Sequence, residues 1–191
     1  AVNWPIIMGD TKSGFSWFYP SDGLDEGDSL LQWECEIGPD DTVIDLYFKK
    51  IYNVAVDSVL EVCDLFRAGN PPHIVPDEAQ ATYERRCTQR HSEINWHRPV
   101  GQVYDLIRGT NPAPGAWTTH KGAKLMVFDS EKVAGDGISA RVRAITDAGI
   151  EVQCVGGRVL VKRVKAEGGG KMPATEWASE VGLQVGDEFG L

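Results

Sequence analysis

No stretch of eighteen consecutive apolar residues occurs in this chain, and no basic segment leads into an apolar one near its start. The first absence argues against a membrane-spanning helix and the second against a secretory leader. The four cysteines (Cys35, Cys63, Cys87, Cys154) form no CxxC pair and have no histidine partner at metal-ligand spacing. Structural zinc is therefore not expected, no metal is assigned, and a reduced, cytoplasmic protein is. The four histidines (His73, His91, His97, His120) are equally dispersed and read as surface or linker residues. A glycine-rich "EGGGK" at Glu167–Lys171 lacks the spacing of a phosphate-binding loop and reads as a hairpin loop. There is no internal repeat. Excess basic charge is missing too: residues 1–91 carry 16 acidic and 7 basic side chains, and residues 92–191 carry 12 of each. A nucleic-acid surface usually shows a basic excess, and neither half shows one at this level.

What is present is ordinary globular material, 42% apolar and 25% charged over 191 residues, enough for one good core or two small ones. The chain opens on Ala1 rather than Met, from which a fragment or processed product is expected. "AVNWPIIMGD" reads as a helix end closed by Gly9 and Asp10. A strand is expected at Phe15–Tyr19 and another in "SLLQWECEI", joined as a long hairpin. Thr42, with Asp45 three residues on, predicts a capped helix start, and Gly69 its end, with a kink or split at Tyr52–Asn53. Residues 70–91, rich in proline, read as a linker or laid-down arm. "RPVGQVYDLIRG" predicts a short helix and "TNPAPGAWTT" a proline-rich corner. From Lys121 onward the segments "AKLMVFD", "ISARVRAIT", "IEVQCVGG" and "VLVKRVKAE" predict short strands of a small barrel, followed by a short helix and a closing strand. The boundaries are 1–69, 70–91 and 92–191.

One short turn stands out. Asp22–Asp28, "DGLDEGD", places four carboxylates and two glycines in seven residues between the two hairpin strands. A calcium loop would want carboxylates at alternate positions, whereas Asp22, Asp25 and Asp28 fall every third residue. A solvated turn and a site holding one reactive carboxylate both remain open on these residues.

The combination "NWPIIMGDTKSGFSWFYPSDGLDEGDSLLQ" with "INWHRPVGQVYDLIRGTNPAPGAWT", followed by "GKMPATEW", closely resembles the folate-dependent formyltransferase family across essentially the whole chain. The resemblance implies an α/β fold: the C-terminal part of a Rossmann-like formyltransferase domain, then a small OB-like β-barrel domain. It implies 10-formyltetrahydrofolate as formyl donor, and transfer of the formyl group or its hydrolysis as the reaction. Asp25 takes the place of the family's catalytic aspartate, which orients water and shuttles protons beside an asparagine and a histidine. The backbone of Asp22, Gly23 and Leu24 would line the pterin end of the folate.

Two departures qualify this. The family's usual threonine after that aspartate is Glu26 here, and a second carboxylate would make Asp25 hold its proton more tightly if both point inward, but do little if it faces solvent. The Asn-x-His segment has no counterpart in these residues, so the missing N-terminal half or a complementing chain is expected, and the 191 residues alone are expected to be inactive. "NWPIIMGD" and "TYERRC…INW" look more like the dehydrogenase-type branch than the tRNA-directed one. The formyl acceptor (water, tRNA or a small molecule) stays open. A different class, a non-catalytic barrel binding RNA or a protein partner, is the alternative.

Overall fold

The computed structural model describes residues 2–190. Helix α1 (Asn3–Met8) ends at Gly9, and the amide of Asp10 bonds Pro5 O at 2.9 Å. Strands β1 (Lys12–Phe18) and β2 (Ser29–Glu36) form an antiparallel hairpin, with Phe15 opposite Trp33 and a register shift at Trp17/Phe18. The expected cap is present: Asp45 Oδ2 accepts from the amide and hydroxyl of Thr42 at 2.9 and 2.7 Å. Such reciprocal bonds supply partners for the first amides of a helix, which have none within it. The helix then runs as a wider π turn over Asp45–Ile51 before becoming regular as α2 (Tyr52–Arg67). The change falls at Tyr52, whose amide reaches back five residues to Tyr47 O. Ile6, Ile37, Leu46 and Ile51 form a small core beneath the hairpin, and Trp17 Nε1 donates to Ser58 Oγ of α2 at 2.8 Å.

The arm after α2 lies along the molecule. Ile74 and Ser29 exchange both backbone hydrogen bonds at 2.8 Å, and two single 3₁₀ turns follow (Glu78–Gln80 and Gln89–His91). Helix α3 (Val100–Thr110) leads into the corner, where the Asn111–Pro112 and Ala113–Pro114 peptides are cis.

Eight strands follow: β3 (Ala116–His120), β4 (Ala123–Val127), β5 (Ser130–Val133), β6 (Val142–Thr146), β7 (Gly149–Cys154), β8 (Gly157–Val161), β9 (Arg163–Ala166) and β10 (Met172–Pro173). They make two antiparallel sheets, ordered β10-β9-β4-β3 and β5-β8-β7-β6, around one large core that includes Trp96, Val127, Ile150, Val159 and Trp177. Helix α4 (Ala174–Val181) closes one end.

The small closed barrel expected from the strand spacing is therefore not formed among the described residues. Segments at 92–100 and 183–190 staple the two sheets instead. Ile94 N donates to Trp117 O in one sheet, and Val100 N donates to Val155 O at the margin of the other. Phe189 N donates to Ala140 O and Gly190 N to Thr119 O. These contacts are single bridges, and that of Pro99 to Val155 goes no further because the chain turns at once into α3. The segment "VLVKRVKAE", expected as one strand, divides at Lys162 between the two sheets. Its amide turns to Asp129 O at 2.8 Å and its carbonyl accepts from Ala174 N at 2.8 Å.

The first and last parts of the chain meet on α3. Asn3 Nδ2 donates to Gly109 O and Ala113 O. Buried Arg108 donates to Gly38 O and Asp41 O at 3.2 and 2.9 Å while its Nε bonds Asp105 at 2.7 Å. Tyr104 donates its hydroxyl to Asp40 at 2.7 Å, and burial with this acceptor pushes the phenol well above its usual range.

Candidate functional site

The acidic turn joins β1 to β2, and its base is closed by the Tyr19 amide donating to Asp28 O at 2.9 Å. Gly27 passes so near that a β-carbon there would lie 1.6 Å from Tyr19 O, a distance only glycine permits. At the tip Asp25 has φ +57°, in the left-handed region. Aspartate enters that region more readily than most residues, yet at a cost of roughly 1–2 kcal/mol. The turn thus presents the Asp25 side chain in a direction that an ordinary extended or helical residue would not.

Asp25, Leu24 and Glu26 line a cavity of about 550 Å³ whose other walls are α1, through Trp4 and Pro5, and the arm from Pro76 to Glu84. Leu24 and Tyr83 are largely exposed, at 68% and 72%. The cavity therefore combines flat apolar surfaces with four carboxylates, those of Asp25, Glu26, Glu78 and Glu84, and no cationic side chain among its lining residues. Such a wall disfavours anions and favours neutral or cationic groups. Glu26 borders the same cavity as Asp25. Its carboxylate folds back over Gly23, where an added β-carbon would sit 1.9 Å from Oε2.

Of the residues singled out in the sequence, Leu24 and Asp25 reach this cavity; Asp22 and Gly23 lie in the turn but are not among its lining residues. None of the four histidines lines it. His73 stacks on Tyr19, His91 meets Trp4, and His97 is exposed. His120 is buried between Trp177 and Phe189 with neither ring nitrogen partnered. Reading the sequence missed Trp4 and Tyr83 as walls. "NWPIIMGD" and "TYERRC" were the available signal, but their meeting depends on the arm folding back, which no local pattern encodes. No group of metal-ligating side chains occurs among the described residues, and no helix there is long and apolar enough to cross a membrane.

Comparison with known proteins gives this geometry its family. Residues 1–60 match the model of the formyl transferase domain, and residues 86–182 match that of the formyl transferase C-terminal domain. The chain belongs to the formyl transferase family.

Among relatives, the cytosolic 10-formyltetrahydrofolate dehydrogenase of Xenopus tropicalis is 35% identical over 202 aligned residues, covering 98% of this chain and 22% of that protein. The methionyl-tRNA formyltransferase of Geotalea daltonii is 31% identical, covering 99% of this chain and 60% of that protein. The chain thus spans about a fifth of the length of the dehydrogenases it matches. HypX from Aquifex aeolicus, solved with tetrahydrofolic acid, shares the fold with a TM-score of 0.77 at 18% identity, over 98% of this chain and 34% of its own. The N-formyltransferase of Helicobacter canadensis does so with a TM-score of 0.63 at 16% identity, over 84% of this chain and 59% of its own.

Proposed function

We propose that these residues form part of a site that transfers the formyl group of 10-formyltetrahydrofolate, or releases it to water, with Asp25 as the proton-handling carboxylate. The observation that supports this most is Asp25 itself, held in a left-handed conformation at the tip of the β1–β2 turn and facing a cavity large enough for a ring. Attack on a formyl carbonyl passes through a tetrahedral centre, so a nearby group must take up and return a proton. A carboxylate at a fixed position does this. It cannot also stabilise the developing oxyanion, which needs hydrogen-bond donors. The cavity walls carry no histidine and no cation, although the hydroxyls of Thr82 and Tyr83 lie among them; in this reading the asparagine and histidine of the family resemblance are supplied by a preceding segment or a complementing chain.

Asp22, Gly23 and Leu24 are assigned to the pterin end of the folate, with backbone groups and the exposed Leu24 side chain against a flat ring. The acidic wall favours water or an amine as acceptor over the polyanionic end of a tRNA, in line with the similarity to the dehydrogenases. The divisions 1–69, 70–91 and 92–191 are retained as catalytic part, linker and C-terminal domain. The test is formyl release from 10-formyltetrahydrofolate by the full gene product, followed as tetrahydrofolate formation with and without an added amine. Turnover supports the reading; folate binding without any release of formate or formylated product would overturn it.

A further inference from the structure

Between Tyr19 and Asp28 the acidic turn has almost no hydrogen bonds of its own. Among the described residues only the Gly23 amide finds a partner within it, Ser21 Oγ at 3.3 Å. The conformation of Asp25 therefore depends on how the two ends of the turn are held. A single side chain of the proline-rich arm touches both. The His73 ring stacks flat on Tyr19 at the exit of β1, with centroids 4.1 Å apart and planes 2° from parallel. Its Nδ1 lies 3.3 Å from Oδ2 of Asp28 at the entry to β2. One residue on, Ile74 and Ser29 exchange their backbone hydrogen bonds, which fixes the histidine over this spot. Tyr19 also meets Phe66 of α2 edge-on, with centroids 6.1 Å apart, so its ring touches both the arm and the helix.

We propose that His73 is a positioning residue: it clamps Tyr19 to Asp28 and thereby holds the turn in the shape that presents Asp25 to the cavity. The assignment rests on the reading of Asp25 as the reactive carboxylate, but the clamp itself is a conformational statement and is measured separately. A loosened base lets Asp25 leave its left-handed conformation, and displacement of a reacting group by about an ångström costs up to ~100-fold in rate.

Two measurements on the same variants test this. Hydrogen exchange on the 191-residue chain reads protection of the Tyr19, Ser29 and Ile74 amides, which are the bonded ones at the base of the turn, in wild type, His73→Ala and His73→Phe. Formyl release by the full gene product reads kcat and KM. The expected result for His73→Ala is exchange at these three amides faster by roughly tenfold, with β3–β9 unchanged, and kcat lower by ~10-fold or more at nearly constant KM. His73→Phe keeps the stack and should recover part of both. Unchanged exchange in His73→Ala would overturn the clamp. Faster exchange with unchanged kcat would overturn the positioning role. Faster exchange in a protein whose wild type releases no formyl group would uphold the clamp while removing the proposed reaction.

Discussion

Gly109 of α3 lies directly against Ile7 of α1: a β-carbon on Gly109 would sit 2.7 Å from Ile7 Cγ1 and 2.9 Å from its backbone nitrogen. This contact brings the first helix of the chain onto the helix that opens the C-terminal part. It also places Trp4 where it walls the Asp25 cavity.

Gly109→Ala tests that contact. Alanine favours a helix interior by up to about 1 kcal/mol, but overpacking against a backbone atom costs about 1–3 kcal/mol. The second effect wins, so net destabilisation is expected. Gly101, also in α3, has nothing within 4 Å of the added carbon, and Gly101→Ala should leave stability unchanged or raise it. Urea unfolding should show a loss for Gly109→Ala and none for Gly101→Ala; equal losses would contradict the packing described.

Asp45 predicts a pH dependence. Its carboxyl is lowered to about 2, chiefly by the hydrogen bond from Lys49; partial burial opposes this, and the Thr42 hydroxyl and amide add to it. A carboxylate favoured in the folded state stabilises above its unfolded value of about 4, and that stabilisation fades as pH falls toward 2. Asp45→Asn should therefore cost on the order of 1 kcal/mol at neutral pH, a figure kept small because Lys49 is exposed. The gap from wild type should narrow below pH 4 in unfolding titrations. A gap independent of pH would contradict the assignment.

His120 contributes a prediction of the other sign. Both its ring nitrogens are buried without partners in an aromatic surround. Leaving such atoms unbonded costs about 1–3 kcal/mol, so His120→Phe, which keeps a ring there, should raise stability by about 1 kcal/mol. Thermal unfolding reads this directly, and a lower midpoint would show that the nitrogens have partners in solution.

The capping of the helix at Thr42–Asp45 was legible in the sequence because a cap is written in residues three apart. The change of helical geometry at Tyr52 was legible as a break, though its π character was not. The β1–β2 hairpin and its acidic turn were equally plain, since strand pattern and turn composition are local. The enclosure of Asp25 was not. Trp4 and Tyr83 are 79 positions apart, and they meet only because the arm folds back and Ile74 pairs with Ser29. Sheet closure failed for a related reason. Strand spacing reports how many strands exist, whereas the immediate turn of the chain into α3 after Pro99 and the turn of Lys162 toward Asp129 are tertiary features that no spacing encodes. His73 looked like a linker histidine, which it is; its stack on Tyr19 is a tertiary fact.

The central claim, that Asp25 moves the proton during formyl transfer or hydrolysis, is tested most directly by Asp25→Asn in the full gene product, with kcat and folate affinity measured beside Asp28→Asn and Glu26→Thr. The amide keeps the size of the carboxylate but takes up no proton, so kcat should fall by about 100-fold or more while folate affinity holds. Asp28→Asn, which still offers an oxygen to His73, should lose no more than His73→Ala, and Glu26→Thr should be neutral or better, because the Glu26 carboxylate lies over Gly23. Retained turnover in Asp25→Asn together with its loss in Asp28→Asn would contradict the account and move the reactive carboxylate to the entry of β2.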